Sequence, residues 1–111
     1  MKPIPNPEAL EAALERERAI LYKHSPRCGL STLARRQIEE FTEEFPGAEV
    51  FLVDVIADRD VSDGVERRLG IRHESPQVIL VERGKPRRHA SHRGVRAEVL
   101  IGWWEELGGA E

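Results

Sequence analysis

The 111-residue sequence predicts an α/β fold, a four-stranded mixed sheet with helices on both faces. Three observations lead there. Short apolar runs at Ala19–Lys23, Val50–Val55 and Gln77–Val81 alternate with segments whose apolar residues recur at spacings of three and four. Val50–Val55 is apolar almost throughout, as expected of a parallel strand buried on both faces. Arg83-Gly84 reads as a tight hairpin turn, which makes the last two strands antiparallel. The resulting order is α-β-α-β-α-β-β-α, and strands joined through a helix run parallel.

Each element has its own signal. The first helix takes Asn6 as N-cap, Pro7 at its first position and Glu8 facing the positive end of the helix dipole. Leu10, Ala13 and Leu14 give it an apolar face. The strand Ala19–Lys23 stops at Ser25-Pro26, because a residue before proline avoids the helical region. After Cys28, Leu30, Leu33, Ala34, Ile38, Phe41 and Phe45 mark the clearest helix, and Pro46-Gly47 ends it. A short helix from near Asp60 to Leu69 follows Val50–Val55, with Gly70 as a left-handed cap. Pro76 opens Gln77–Val81, and Pro86–Ser91 returns beside it. The last helix carries Ala97, Leu100, Ile101, Trp104 and Leu107 on one face with Trp103 beside them, and Gly108-Gly109 closes it.

With 40% hydrophobic and 33% charged residues, the chain reads as one domain over residues 1–111, able to stand without disulfide or metal staples. A net charge of −3 argues against nucleic acid as a partner. No apolar stretch is long enough for a signal peptide or membrane span, so the expectation is a cytoplasmic protein with no membrane partner.

The single cysteine, Cys28, cannot close an internal disulfide or build a Cys-rich zinc site. It is a buried hydrophobe, an intermolecular link or a reagent. Its place where a strand meets a helix N-terminus favours the reagent, because unpaired N–H groups there stabilise a thiolate. Arg27 precedes it, and Lys23 and His24 lie upstream as further cations. Ser31 stands where a dithiol enzyme would carry its resolving cysteine; it either hydrogen-bonds the thiolate or is an ordinary first-turn residue. His24 has two readings, a proton donor to a leaving thiol or a surface histidine. His89 and His92 are three apart, which points strand residues to opposite faces, so no metal site is expected. From Arg83 to Arg96 six basic residues, His89 and His92 occur with no acid. That stretch is either a charged edge that blocks aggregation or a docking patch for an anionic thiol.

Three stretches carry a family resemblance: Lys23-His24-Ser25-Pro26-Arg27-Cys28-Gly29-Leu30-Ser31, Arg72-His73-Glu74-Ser75-Pro76-Gln77 and His89-Ala90-Ser91-His92. Together they resemble the bacillithiol-linked monothiol bacilliredoxins, the YtxJ-type proteins of the thioredoxin superfamily, over nearly the whole chain. The resemblance implies a thioredoxin-like fold with Cys28, Ser31 and Pro76 at the catalytic centre, and Lys23, His24, Arg27 and Ser75 binding the thiol cofactor. It implies a cis bond before Pro76, which leaves the Ser75 backbone open to an extended substrate. The implied activity is removal of bacillithiol, or a similar small thiol, from S-thiolated proteins by a monomer that a second thiol or a reductase resets. The malate carboxylates of bacillithiol suit bidentate arginines. Gly29 departs from the family's usual proline and makes Cys-Gly-Leu-Ser similar to the Cys-Gly-Phe-Ser of monothiol glutaredoxins. That similarity implies an alternative, a [2Fe-2S] carrier using Cys28, a thiol cofactor and a second subunit. A third reading is an adaptor whose cysteine is vestigial.

Overall fold

The structure is a computed structural model that describes residues 1–107, so Gly108-Gly109 lies outside it. Its first element was not expected: β1 (Lys2–Pro3) is a two-residue edge strand. Two residues carry no periodicity, and proline is tolerated there because an edge strand leaves one side of its backbone unpaired. At α1 (Pro7–Leu14) the Asn6 side chain accepts the Ala9 N–H at 2.8 Å, as its N-cap role requires. Then follow β2 (Arg18–His24), α2 (Gly29–Glu44), β3 (Val50–Asp54), α3 (Arg59–Leu69), β4 (Gln77–Glu82), β5 (Lys85–Ser91) and α4 (Ala97–Glu106). Gly70 ends α3 at φ 69°, the left-handed conformation that glycine adopts without a Cβ penalty. Arg83 and Gly84 both have positive φ, the combination that a primed two-residue hairpin turn demands.

The sheet has strand order β1-β3-β2-β4-β5, five strands rather than four among the described residues. β1, β3 and β2 run parallel, while β4 and β5 are antiparallel to their neighbours. Side chains alternate between two cores. Leu21, Phe51, Val53, Ile79 and Val81 pack under α1 and α3 with Leu10, Val61 and Val65. Ile20, Tyr22, Val50, Val78 and Leu80 pack under α2 and α4 with Ile38, Phe41, Leu100 and Trp104. Leu33 departs from the expected apolar stripe of α2, being 54% exposed.

Three features gather chemistry at one end of the sheet. The parallel pair β2 and β3 ends together, with the Val55 N–H on the His24 carbonyl at 3.0 Å. Four residues separate β2 from α2, and the antiparallel β4 begins at the same end, pairing Gln77 with Lys23. A 3-10 turn over His92–Gly94 follows β5 and donates the His92 N–H to the Pro76 carbonyl at 2.8 Å. Deeper in the fold, Gln37 of α2 accepts the Ala97 N–H that opens α4, at 2.9 Å.

Candidate active site

Cys28 is the N-cap residue of α2, extended at φ −112° and ψ 121°, and half-buried. Its thiol closes no capping hydrogen bond. The thiol is nonetheless held below the ordinary cysteine range. The Ser31 N–H acts first and the Leu30 N–H second; partial desolvation opposes them, and the Ser31 hydroxyl adds to the lowering. The source is therefore the helix terminus and Ser31. Arg27, expected from its position to help, is exposed to solvent.

Ser31 is fully buried, and its Oγ accepts the Ser25 N–H at 3.2 Å. Accepting there leaves the hydroxyl proton free to be donated.

Tyr22 fixes this turn from below. It is fully buried, and its hydroxyl donates to the Ser31 carbonyl at 2.8 Å. Burial pushes the phenol well above its ordinary value, so it keeps its single proton. The second contact, 2.7 Å to His24 Nδ1, must then be donated by the histidine. Burial, then the Arg35 charge, lowers the His24 pKa against the pull of Asp54. His24 is thus neutral at pH 7, protonated on Nδ1, with Nε2 left as an acceptor. This arrangement does not supply the proton donor that was one of its two readings.

Lys23 points to the opposite face of the sheet from Tyr22 and His24, because neighbours in a strand alternate. It is fully buried, and its Nζ lies 3.0 Å from His73 Nδ1. Burial lowers the lysine pKa against the pull of Glu66 and Asp63, and burial and Lys23 together lower that of His73. Ser62 Oγ is a further contact of His73 Nδ1 at 3.3 Å. A lysine enclosed in this way braces the loop between α3 and β4 and does not face solvent, where a cofactor would arrive.

The same loop carries the Ser75-Pro76 peptide, which is cis. Three hydrogen bonds hold its approach: the His73 N–H to Glu66 at 2.9 Å, Gln77 Nε2 to the Arg72 carbonyl at 3.0 Å, and the Glu74 N–H to Gln77 Oε1 at 3.4 Å. Ser75 Oγ is buried without a partner among the described residues. Glu74 is held below the usual carboxylate range, first by the Ser91 hydroxyl and then by His92, Arg72 and His89. Position alone singled out neither Tyr22 nor Gln77. Both are polar groups inside otherwise apolar strands, a pattern that demands a buried partner.

The basic stretch from Arg83 to Arg96 divides in the structure. Arg87 and Arg88 lie on the edge strand β5 and pair with Glu82 at 2.5 Å and Glu106 at 2.8 Å, which fits a charged edge. Arg93 and Arg96 lie beyond the strand, beside α2. No group of three or more His, Cys, Asp or Glu is placed to hold a metal ion among the described residues. One chain offers a single cysteine, one of the four ligands that an iron-sulfur cluster takes, so a cluster at Cys28 would draw its other ligands from a thiol cofactor and a second subunit. None of the described helices is long and apolar enough to cross a membrane.

Comparison with known proteins agrees with this geometry. The structure superposes with a TM-score of 0.86 on an oxidoreductase described as having a thioredoxin fold, 24% identical, covering 91% of this chain and 90% of that one. It matches the oxidised thioredoxin of Plasmodium falciparum at a TM-score of 0.77 and 15% identity, over 96% and 97% of the two chains. Fasciola hepatica thioredoxin gives 0.76 and 16%, over 96% and 98%. These likenesses establish the fold, with Cys28 at the start of α2 and a cis proline before β4. A family model described as monothiol bacilliredoxin BrxC matches residues 2–100, and the chain belongs to that family of thiol oxidoreductases.

Proposed function

We propose that the protein removes a small thiol, bacillithiol or a close analogue, from mixed disulfides on oxidised proteins. The observation that carries this reading is the thiolate-favouring setting of Cys28 in a chain with no second cysteine. The Cys28 thiolate attacks the small-thiol sulfur of the mixed disulfide. The S–S bond of the mixed disulfide breaks, the target protein leaves as a thiolate that takes a proton from solvent, and Cys28 becomes capped through a new S–S bond to the small thiol. Two-electron oxidation has moved from the target to Cys28. A second small thiolate attacks the cap, releasing the small-thiol disulfide and restoring the Cys28 thiolate; a partner reductase is the other route.

Ser31 supports each passage of negative charge at Cys28 by hydrogen bonding, and Tyr22 holds the turn that carries Ser31. The open Ser75 backbone beside Pro76 suits an extended substrate segment. The test is intact mass after incubation with oxidised bacillithiol, run beside de-thiolation of a bacillithiol-capped protein. The expected result is one adduct on Cys28 and loss of both signals in Cys28→Ser. De-thiolation surviving in that variant overturns the proposal, as does wild-type protein that takes no adduct.

A further inference from the structure

A cleft of about 490 Å³ runs between α2 and the segment that joins β5 to α4. That volume lies within the range of small-molecule sites. Leu30, in the first turn of α2, stands at its mouth two residues from Cys28, and the opposite wall is the 3-10 turn whose His92 N–H is held by the Pro76 carbonyl. The other end is crossed by the Gln37–Ala97 hydrogen bond. Seven residues of helix separate Leu30 from Gln37, which sets the depth at about 10 Å.

Its lining has two chemistries. Leu30, Leu33 and Val95 are apolar, and Leu33 remains 54% exposed although its spacing predicts burial. Arg36, Arg93 and Arg96 stand on the two walls, opposed by one acid, Glu40. Arg36 and Arg93 form no ion pair among the described residues, and Arg96 has only the exposed Glu98 at 2.9 Å. His92 adopts a positive φ of 54°, uncommon for a residue with a Cβ, at the turn that presents Arg93 to the cleft. A region of excess positive charge beside an apolar floor, inside a protein of net charge −3, is locally selective for anions.

We infer that this cleft is the specificity site for the small-thiol half of the disulfide, taking a thiol that carries its carboxylates at the end of the molecule away from its sulfur. The inference rests on the proposed de-thiolation and adds its selectivity. Arg36, Arg93 and Arg96 bind the carboxylates, while Leu30 and Leu33 cover the connecting atoms. The arginines on β5 have no part in it.

The test compares Cys28 capping by an anionic disulfide, oxidised bacillithiol, with capping by a cationic one, cystamine. In the doubly reversed Arg36→Glu, Arg93→Glu variant the rate with oxidised bacillithiol should fall about tenfold, while that with cystamine holds or rises. A matched control, Arg83→Glu with Lys85→Glu on the distant hairpin, should change the bacillithiol rate less than about twofold. An equal fall with both disulfides means damage to the turn and overturns the inference, as does an unchanged bacillithiol rate. Slower de-thiolation of a protein with unchanged small-disulfide capping assigns the cleft to an acidic segment of the target, and also overturns it. Wild-type protein that reacts with cystamine but not with oxidised bacillithiol removes the proposed function itself.

Discussion

Replacing Tyr22 by phenylalanine tests the link between the sheet and the reactive turn. The substitution keeps the ring in its fully buried site and deletes one oxygen. That oxygen serves two hydrogen bonds, to the Ser31 carbonyl at 2.8 Å and from His24 Nδ1 at 2.7 Å. At about 1 kcal/mol each, with the His24 N–H left unpaired, the expected loss is about 2 kcal/mol. An unfolding entropy of about 2.1 cal/mol/K per residue converts this into a Tm lower by roughly 9 °C. The assay is thermal unfolding followed by circular dichroism, beside ring-nitrogen NMR of His24. Wild-type protein should show the Nδ1–H tautomer, and the variant should lose that preference. A variant that melts within about 2 °C of wild type, or a wild-type His24 protonated on Nε2, refutes the assignment of the phenol as the brace of α2.

Other outcomes follow from the same contacts. Ser31→Ala removes a hydroxyl that favours the thiolate, so the midpoint of Cys28 alkylation with iodoacetamide should move to higher pH; an unmoved midpoint sinks that role. His24 and His73 have folded pKa values below the ordinary imidazole value of about 6.5, so in that window the unfolded chain binds more protons. Their contribution to stability is present above about pH 6.5 and lost as the pH falls through the folded values, which urea midpoints at about pH 7.5 and 5 will register. Lys23→Met removes the charge facing His73 and should shrink this acid loss. Gly70→Ala meets no atom within 4 Å, so its expected destabilisation of about 1 kcal/mol comes from the positive φ alone; an unchanged urea midpoint contradicts that. Anaerobic reconstitution with iron, sulfide and bacillithiol should leave the protein without visible absorption, and a coloured dimer would restore the cluster carrier.

What the sequence reveals depends on the distance over which each residue acts. Asn6, Gly70 and Arg83-Gly84 act within four residues of themselves, and each takes the predicted conformation. The place of Cys28 at a helix start follows in the same way from its flanks. Lys23 and His73 are 50 residues apart and meet only because β2 and α3 share a face of the sheet, so flanking sequence makes Lys23 look like an open cation. The basic stretch misleads for a related reason. Arg87 and Arg88 stay on β5 with acidic partners while Arg93 and Arg96, beyond its end, reach the cleft, and Arg36, which joins those two there, lies 57 residues before Arg93. β1 is too short to leave any pattern.

The Gln37–Ala97 hydrogen bond has a dynamic consequence. Arg96 offers α4 no side-chain acceptor, and ten residues are too few for a helix to persist in water alone. Its first turn is completed by a side chain 60 positions earlier, and its apolar face rests on Ile38 and Phe41 of the same partner helix. α2 and α4 should therefore open as one cooperative unit in native-state hydrogen exchange, with α1 and α3 on the other face opening separately. A peptide spanning residues 92–107 would be unstructured by itself. The thiolate's helix and the terminal helix share a single local stability, so damage to either loosens the turn that carries Cys28.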